Sequence, residues 1–132
     1  MTVFVCVDDN MGVAFNNRRQ SRDSAIVSTV MEMTRGKKLY MNEYSKRLFS
    51  GEDVIVCENY MDIAEENDFC FAENVSLAEY NEKIKTVVLF KWNKIYPNDK
   101  KLEISFEDRE LQDSFDFVGS SHDKITCEVW TK

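Results

Sequence analysis

The chain has 132 residues and a net charge of −7 at pH 7, from 24 acidic and 17 basic side chains. A hydrophobic fraction of 43% excludes an intrinsically disordered chain, and the length predicts a single domain over residues 1–132. The acidic balance argues against a protein that coats nucleic acid, because it would repel a phosphate backbone. The apolar runs are too short for a membrane span, and the first residues lack the charged start of a signal peptide. We therefore expect a cytoplasmic protein without a membrane partner.

The four cysteines are Cys6, Cys57, Cys70 and Cys127, and each lies in an apolar, strand-like run. No two of them form a C-x-x-C pair, so the pattern predicts buried, reduced thiols of the kind found in cytosolic proteins. A structural zinc site needs closely spaced cysteine and histidine ligands, and the chain has a single histidine. We therefore predict no metal site.

The first predicted element is a strand, Thr2–Val7, with apolar residues on both faces. This pattern is typical of an interior strand in a mainly parallel sheet that is covered on both sides. Polar residues then predict a loop as far as Asp23. Residues 24–35 have one apolar stripe at helical spacing, with Ser21 or Asp23 as the cap and Gly36 as a left-handed residue at the end.

Short strand and helix patterns alternate through the middle of the chain. Strands are predicted at Leu39–Met41, 53–57, 68–72 and 86–92, and short helices at 43–49, 60–66 and 76–84. The strand at 53–57 is expected to be buried, and a capping box opens the helix at 76–84. A loop is predicted at 93–101, and alternating residues at 102–106 and 125–130 predict half-buried antiparallel strands. The order predicts an α/β fold, a three-layer α/β/α sandwich with a mainly parallel sheet and antiparallel C-terminal strands.

Four strings of the sequence resemble the dihydrofolate reductase family. Residues 3–13 resemble its first strand and the mobile loop after it, and residues 34–41 resemble the end of its first helix and its second strand. Residues 85–97 and 124–130 resemble a late strand with its loop and the terminal strand. The resemblance implies a shortened dihydrofolate reductase-like fold in which one strand–helix pair is missing.

The chain departs from that family at the positions that hold the nicotinamide cofactor. The family has a Gly-Arg pair after its second strand, where this chain has Asn42-Glu43, and a Gly-Gly turn after its central strand, where this chain has Glu73-Asn74. A carboxylate repels phosphate, and side chains prevent the close approach that glycine permits. Asp23 lies near the family's acidic residue on the first helix but about one turn away. Nicotinamide-dependent reduction is therefore not expected, and we predict no cofactor.

The strings at 17–23 and 119–126 are also similar to a group of small uncharacterised bacterial proteins, some of which carry the name ribonuclease Z. That name implies a histidine-rich site with two zinc ions. A chain whose only histidine is His122 cannot supply such a site, so the name does not fit it.

Cationic side chains are concentrated in one short segment, where Arg18, Arg19 and Arg22 fall within five positions. Guanidinium groups suit carboxylate or phosphate, and the following helix start adds backbone N–H groups. The segment also follows the carboxyl end of a parallel strand, where open α/β sheets bind ligands. We therefore predict an anion-binding site in this segment, called the arginine loop, formed by Arg18, Arg19, Gln20, Ser21, Arg22 and Asp23 together with Asp8 and Asp9.

Two other interpretations of this region stay open. The three arginines can pair with Asp8, Asp9 and Asp23 and fix the loop without binding anything else. Asp8, Asp9 and Asn10 also end a buried strand, which is a common place for magnesium-binding carboxylates. A solvated acidic loop explains these three residues more simply.

A second polar cluster, residues 119–124, precedes the last predicted strand and contains His122. The resemblance implies that this segment, called the histidine turn, lies beside the arginine loop. His122 is then a candidate acid or base near neutral pH, with Ser120, Ser121 and Lys124 as further ligand contacts. The alternative is a hydrogen-bonded turn with a structural histidine. A catalytic triad with the directly flanking serine and aspartate is excluded, because neighbours in sequence cannot face one another.

Three functions are compatible with these patterns. The first, which we rank highest, is a non-catalytic protein that binds a small anionic ligand or a partner through the arginine loop and the histidine turn. The second is an acidic interaction module, such as a toxin immunity protein, with a basic protein partner. The third is a hydrolase or nuclease that uses His122. Trp92 and Tyr96 favour core and turn positions over a base-stacking platform.

Overall fold

The computed structural model describes all of residues 1–132. Its strands are β1 (Thr2–Val7), β2 (Gly12–Phe15), β3 (Arg18–Arg19), β4 (Leu39–Met41), β5 (Ile55–Val56), β6 (Phe69–Phe71), β7 (Thr86–Lys91), β8 (Lys100–Lys101), β9 (Glu110–Phe117) and β10 (Ile125–Thr131). Its α-helices are α1 (Ser24–Met33), α2 (Glu43–Lys46) and α3 (Tyr60–Ile63), and short 3-10 helices span Arg47–Phe49 and Ala78–Tyr80. Seven strands form one sheet in the order β5-β4-β6-β1-β7-β10-β9, and β3-β2-β8 form a small second sheet.

β1 lies at the centre of the large sheet and runs parallel to both of its neighbours. Val3 of β1 lies opposite Cys70 of β6 on one side and Val87 of β7 on the other. β4 and β5 continue the parallel part of the sheet, whereas β10 and β9 are antiparallel. The predicted α/β sandwich with antiparallel C-terminal strands is therefore confirmed, as is the interior position of β1.

Each face of the large sheet has its own apolar core, because successive residues of β1 point to opposite faces. One cluster includes Phe4, Ile26, Val30, Phe49 and Phe90. The other cluster includes Val3, Val5, Tyr60, Leu77 and Ile84. The first cluster is covered by α1 and by the 3-10 helix after α2. The second is covered by α3 and by chain that has little regular secondary structure.

α1 is the longest helix, and it starts beside the arginine loop. Of the two predicted caps, Asp23 is the one used: it is extended (φ −157°) and its side chain accepts a hydrogen bond from the Ala25 N–H. The helix ends at Met33, and Gly36 has the predicted left-handed conformation (φ +74°). None of the helices is both long and apolar enough to cross a membrane.

The polar stretch after β1 was predicted as a continuous loop, and this prediction is wrong. It contains the hairpin of β2 and β3, whose turn residues Asn16 and Asn17 both have positive φ (+53° and +60°). Asparagine tolerates this conformation, which a two-residue hairpin turn requires at both positions. β2 also pairs with β8, which lies inside the loop predicted at 93–101.

The strand predicted as buried at 53–57 is instead a short, exposed edge strand. Ile55 and Val56 of β5 are each 38% exposed. β5 ends the large sheet on this side, so no further strand pairs with its outer edge.

Two further elements predicted on one side of the sheet do not form. Residues 76–84 contain only the 3-10 turn Ala78–Tyr80, and the Ser76 hydroxyl donates to Glu103 (3.3 Å) and does not cap a helix. Residues 102–106 are not a strand, although Leu102 contacts the apolar core. The eight-residue strand β9 was not predicted, because its residues are nearly all exposed and Asp113 interrupts the alternation of Leu111, Phe115 and Phe117.

The buried side chain of Arg109 holds these irregular segments together. Its guanidinium is fully buried and donates to the carbonyl oxygens of Asn81, Ile84 and Ser105 and to the Asn81 side chain. Burial lowers the pKa of Arg109 from its usual value. One side chain therefore takes the place of the backbone hydrogen bonds that a helix would supply here.

All four cysteines are free thiols. Cys70 and Cys127 are buried as predicted, and burial raises the pKa of each to about 12. Cys6 and Cys57 are only half-buried, so the prediction of burial was wrong for these two.

Candidate functional site

The Asp23 carboxylate is the centre of a hydrogen-bond cluster between the arginine loop and the histidine turn. It is fully buried and accepts from the backbone N–H groups of Ala25 (2.9 Å), Ser120 (2.8 Å) and Ser121 (2.9 Å), and from His122 Nδ1 (2.9 Å). Burial by itself would raise the pKa of Asp23, but these donors outweigh it and hold the pKa well below its usual range. Asp23 is therefore an ionised carboxylate whose oxygens are occupied by donors of the protein.

The His122 ring lies between Asp23 and two hydroxyl groups. Its side chain is 2% exposed and stacks on Trp92 with ring centroids 4.6 Å apart. Nδ1 faces the Asp23 carboxylate, so the proton of the neutral ring is on Nδ1. Nε2 lies 2.8 Å from the Tyr96 hydroxyl and 3.1 Å from the Ser21 hydroxyl. The arginine loop and the histidine turn thus meet at one imidazole ring.

A second buried carboxylate, Asp8, organises the loop after β1. It accepts from the N–H groups of Asn10 (2.9 Å), Gly12 (2.7 Å) and Tyr96 (3.1 Å) and from Gln20 Nε2 (3.1 Å). Burial opposes ionisation, but these hydrogen bonds lower the pKa of Asp8. These donors occupy the carboxylate oxygens that a magnesium ion would need. No group of three or more histidine, cysteine, aspartate or glutamate side chains is placed so that it could hold a metal ion.

Arg19 is paired within the protein. Its guanidinium donates two hydrogen bonds of 2.8 Å to Glu73 and lies 4.1 Å from the centre of the Tyr44 ring. Glu73 also accepts from the Ser45 hydroxyl (2.7 Å). Desolvation acts to lower the pKa of Arg19, but the Glu73 carboxylate raises it. Arg19 is therefore held against β6 and α2.

The other two arginines of the loop have no carboxylate partner. No ion pair involves Arg18 or Arg22, and both are exposed. The interpretation in which these arginines pair with Asp8, Asp9 and Asp23 is therefore wrong. Asp8 and Asp23 are satisfied by backbone N–H groups and neutral or histidine side chains, and Asp9 is exposed to solvent.

A cleft opens beside this cluster, at the carboxyl ends of β1 and β6. Its cavity volume is about 150 Å³, and 13 of its 24 lining residues are hydrophobic. Its walls come from β1, the β2–β3 hairpin, α1, residues 71–77 and residues 100–103. Ser21, Arg22 and Lys100 line it, whereas Arg18 does not. Of the three arginines, Arg22 is the one that lines the cleft without a protein carboxylate.

Most of the remaining predicted site residues have structural contacts, and Lys124 is the exception. Ser120 and Ser121 bind Asp23, and Gln20 binds Asp8 and the Pro97 carbonyl. The Lys124 side chain is exposed and makes no hydrogen bond. Whether any of these residues contacts a ligand stays a prediction.

Four side chains around the site were not predicted as site residues: Tyr44, Glu73, Trp92 and Tyr96. Trp92 is 4% exposed, in agreement with a core position. Their position along the chain could have identified Trp92 and Tyr96 as site residues. Both follow the carboxyl end of β7, on the same edge of the sheet as the arginine loop.

Comparisons with known proteins identify the fold. No protein-family model matches the chain, and no curated protein sequence matches it. Among solved structures, the chain is similar to a dihydrofolate reductase from Enterococcus faecalis, determined in complex with NADP(H) and RAB-propyl. The TM-score is 0.69 at 10% sequence identity, over 98% of this chain and 94% of that one. The fold is therefore dihydrofolate reductase-like, and the likeness extends to the fold alone.

The pairs Asn42-Glu43 and Glu73-Asn74 do not fit the phosphates of a dinucleotide. Asn42 is engaged in capping α2, where it accepts from the Ser45 N–H (2.9 Å), and it donates to the Glu73 carbonyl (2.9 Å). Glu73 lines the cleft, and its carboxylate accepts a hydrogen bond from the Arg19 guanidinium. A phosphate group here would meet a carboxylate in place of a free cation, and a side chain in place of glycine.

Proposed function

We propose that this protein binds a small molecule with an apolar body and an anionic group in the cleft of a dihydrofolate reductase-like scaffold. The observation that carries the proposal is the state of the arginine loop. Arg19 is neutralised by Glu73, and Arg22 lines the cleft with no carboxylate partner. A cation of this kind beside apolar walls is suited to an anionic ligand.

The geometry favours ligand binding over nicotinamide-dependent reduction. The ion pair of Arg19 and Glu73 lines one part of the cleft, so a phosphate there would meet a carboxylate, and the carboxylate of Asp23 is committed to the histidine turn. The remaining space lies between apolar residues of β1 and α1 on one side and residues 74–77 on the other. This space suits a compact ring system, with its anionic group directed to Arg22 or Lys100. The cytoplasmic location expected from the sequence stays a prediction.

Thermal unfolding with a ligand panel tests this proposal. Inorganic phosphate, nucleoside monophosphates and folate are each added in excess to the wild type and to the variants Arg22→Ala and Arg18→Ala. At about 100 times Kd, binding adds about 2.7 kcal/mol of stability, which raises Tm by about 5 °C or more. We expect at least one compound with both a ring and an anionic group to do so in the wild type and in Arg18→Ala, but not in Arg22→Ala.

The matched arginine variants make the result specific to the cleft. Arg18 is exposed and does not line the cleft, so Arg18→Ala changes net charge by the same amount without changing the site. Equal loss of the shift in both variants, or no shift with any compound in the wild type, contradicts the proposal.

A second candidate function, binding of a basic protein, is favoured by the outer edge of the large sheet. β9 is an exposed edge strand that carries Glu110, Asp113 and Asp116 and no cation. Edge strands bind extended peptides through their unpaired backbone groups.

This second candidate is tested by affinity purification of the tagged chain from its native host. A basic partner is expected with the wild type and with the control Glu52→Lys/Glu65→Lys, but not with Asp113→Lys/Asp116→Lys. Both double variants add the same charge at exposed positions. Recovery of the chain alone, or equal recovery of a partner with both variants, excludes β9 as its binding surface.

A further inference from the structure

We propose that Ser21, His122 and Asp23 form a catalytic triad that hydrolyses esters in the cleft. Ser21 Oγ lies 3.1 Å from His122 Nε2, and His122 Nδ1 lies 2.9 Å from Asp23 Oδ2. These are the nucleophile–base and base–acid distances that nucleophilic catalysis requires. The serine and the aspartate come from the arginine loop and the histidine comes from a turn about a hundred positions later.

Asp23 and His122 have the environments that their roles require. The Asp23 carboxylate is buried and held by three backbone N–H groups, so it stays in place opposite Nδ1. It therefore fixes the tautomer in which Nε2 has a free lone pair. The stack on Trp92 holds the ring plane so that Nε2 faces Ser21. Asp23 is a positioning residue, and His122 is the base.

Ser21 is the member of the triad that a substrate can reach. Its side chain is half-buried and lines the cleft, whereas the His122 ring behind it is closed off from solvent. The backbone N–H groups of Ser21 and Arg22 have no acceptor within the chain. Unpaired N–H groups at the nucleophile and at the residue after it are donors for the oxygen that becomes negative in the transition state.

The reaction follows from these contacts. Ser21 Oγ forms a bond to the ester carbonyl carbon, and its proton passes to His122 Nε2 while the carbonyl electron pair moves onto oxygen. The intermediate collapses, the bond to the alkoxy group breaks, and the alcohol leaves with the proton from Nε2. Water then adds to the acyl-Ser21 carbonyl and gives a proton to Nε2, and Ser21 leaves with it. The sum is ester plus water to acid plus alcohol.

Tyr96 moderates this arrangement. Its hydroxyl lies 2.8 Å from Nε2 and 3.4 Å from Ser21 Oγ, so it competes with Ser21 for the one lone pair of the base. Without the Tyr96 hydroxyl, Ser21 is the only one of these two hydroxyl groups that can bind Nε2. A merely structural histidine would gain no serine reactivity from this change.

The proposal is tested with a fluorophosphonate probe and with p-nitrophenyl acetate. We expect wild type to form one covalent adduct, mapped to Ser21 by peptide mass spectrometry, and to hydrolyse the ester with saturation. Ser21→Ala is expected to lose both activities. His122→Gln is expected to react with the probe at least about 100-fold more slowly than wild type. Tyr96→Phe is expected to label faster, by about tenfold if the hydroxyl holds the base as the distances indicate.

The controls separate chemistry from folding and from the proposed ligand binding. Ser28→Ala, an exposed serine of α1, is expected to label as wild type does. Equal labelling of wild type and His122→Gln, or no Ser21 adduct in either wild type or Tyr96→Phe, overturns the triad. The inference uses the same cleft as the proposed function. If Ser21 is not labelled but the Arg22-dependent thermal shift is observed, only the triad is overturned. If Ser21 is labelled but no such shift is observed, only the ligand proposal is overturned.

Discussion

Asp23→Asn is expected to lower the free energy of unfolding by about 3–5 kcal/mol, as measured by urea denaturation. The amide has the shape of the carboxylate and remains a good helix cap. The loss of stability therefore measures the contribution of the negative charge and of the second acceptor oxygen. Three backbone N–H groups and His122 Nδ1 converge on the two carboxylate oxygens. In the variant, one of those oxygens is replaced by an NH2 group that faces donors inside a buried cluster.

The matched control is Asp9→Asn, which removes an equal charge from an exposed side chain in the neighbouring loop. A surface change of this kind is expected to stay within about 0.5 kcal/mol of wild type. A loss below about 1 kcal/mol for Asp23→Asn would show that the cluster contributes little to folding.

The pH dependence of the free energy of unfolding is a second measure of how much the Asp23 charge stabilises the fold. The pKa of Asp23 is lowered in the folded state, so its stabilisation is complete above the unfolded pKa of about 3.9. It is lost as pH falls toward the lower folded pKa. Between about pH 5 and pH 2, the wild type is therefore expected to lose stability more steeply than Asp23→Asn. Parallel curves for the two proteins would assign the slope to other carboxylates, Asp8 among them.

Arg109→Met is expected to cost about 3–5 kcal/mol, also by urea denaturation. Methionine replaces much of the apolar volume of arginine but donates no hydrogen bonds. The carbonyl oxygens of Asn81, Ile84 and Ser105 then lose their donor, and the Ile84 oxygen is in a buried contact. The loss should be accompanied by faster amide hydrogen exchange in residues 78–84 and 102–106.

The control for Arg109→Met is the same substitution at an exposed position. Arg35 is 77% exposed and pairs only with Glu32, three residues before it. Arg35→Met is expected to change stability by less than about 0.5 kcal/mol. Similar effects at both positions would mean that Arg109 does not organise the irregular segments.

Sequence patterns predicted the elements whose apolar residues are buried in a regular period. β1, β6 and β7 are short apolar runs at the centre of the sheet, and their burial on both faces leaves a clear signal. The patterns were misleading where a polar side chain replaces backbone pairing. The capping box at 76–84 is one example, because Ser76 bonds to Glu103 and Arg109 takes the nearby carbonyl groups.

The site was predictable in position but not in its pairings. That the arginine loop lies beside His122 followed from the family resemblance. The partner of Arg19 did not follow, because Glu73 is 54 positions away and its local sequence carries no mark of an ion pair. The same is true of Ser21 and Asp23, which meet His122 across 101 and 99 positions. The flanking Ser121 hydroxyl does lie 3.2 Å from His122 Nδ1, although sequence neighbours were not expected to face one another, and only the fold brings Ser21 to Nε2.

An outer strand with free N–H and C=O groups is a template on which another chain can add and start a fibre. On β9 that template carries Glu110, Asp113 and Asp116 and no opposite charge. Two copies that met along this strand would place carboxylates against carboxylates, which destabilises cross-strand pairs. The carboxylates of β9, which lie beside the exposed Leu111 and Phe115, thus disfavour polymerisation of the molecule along this edge.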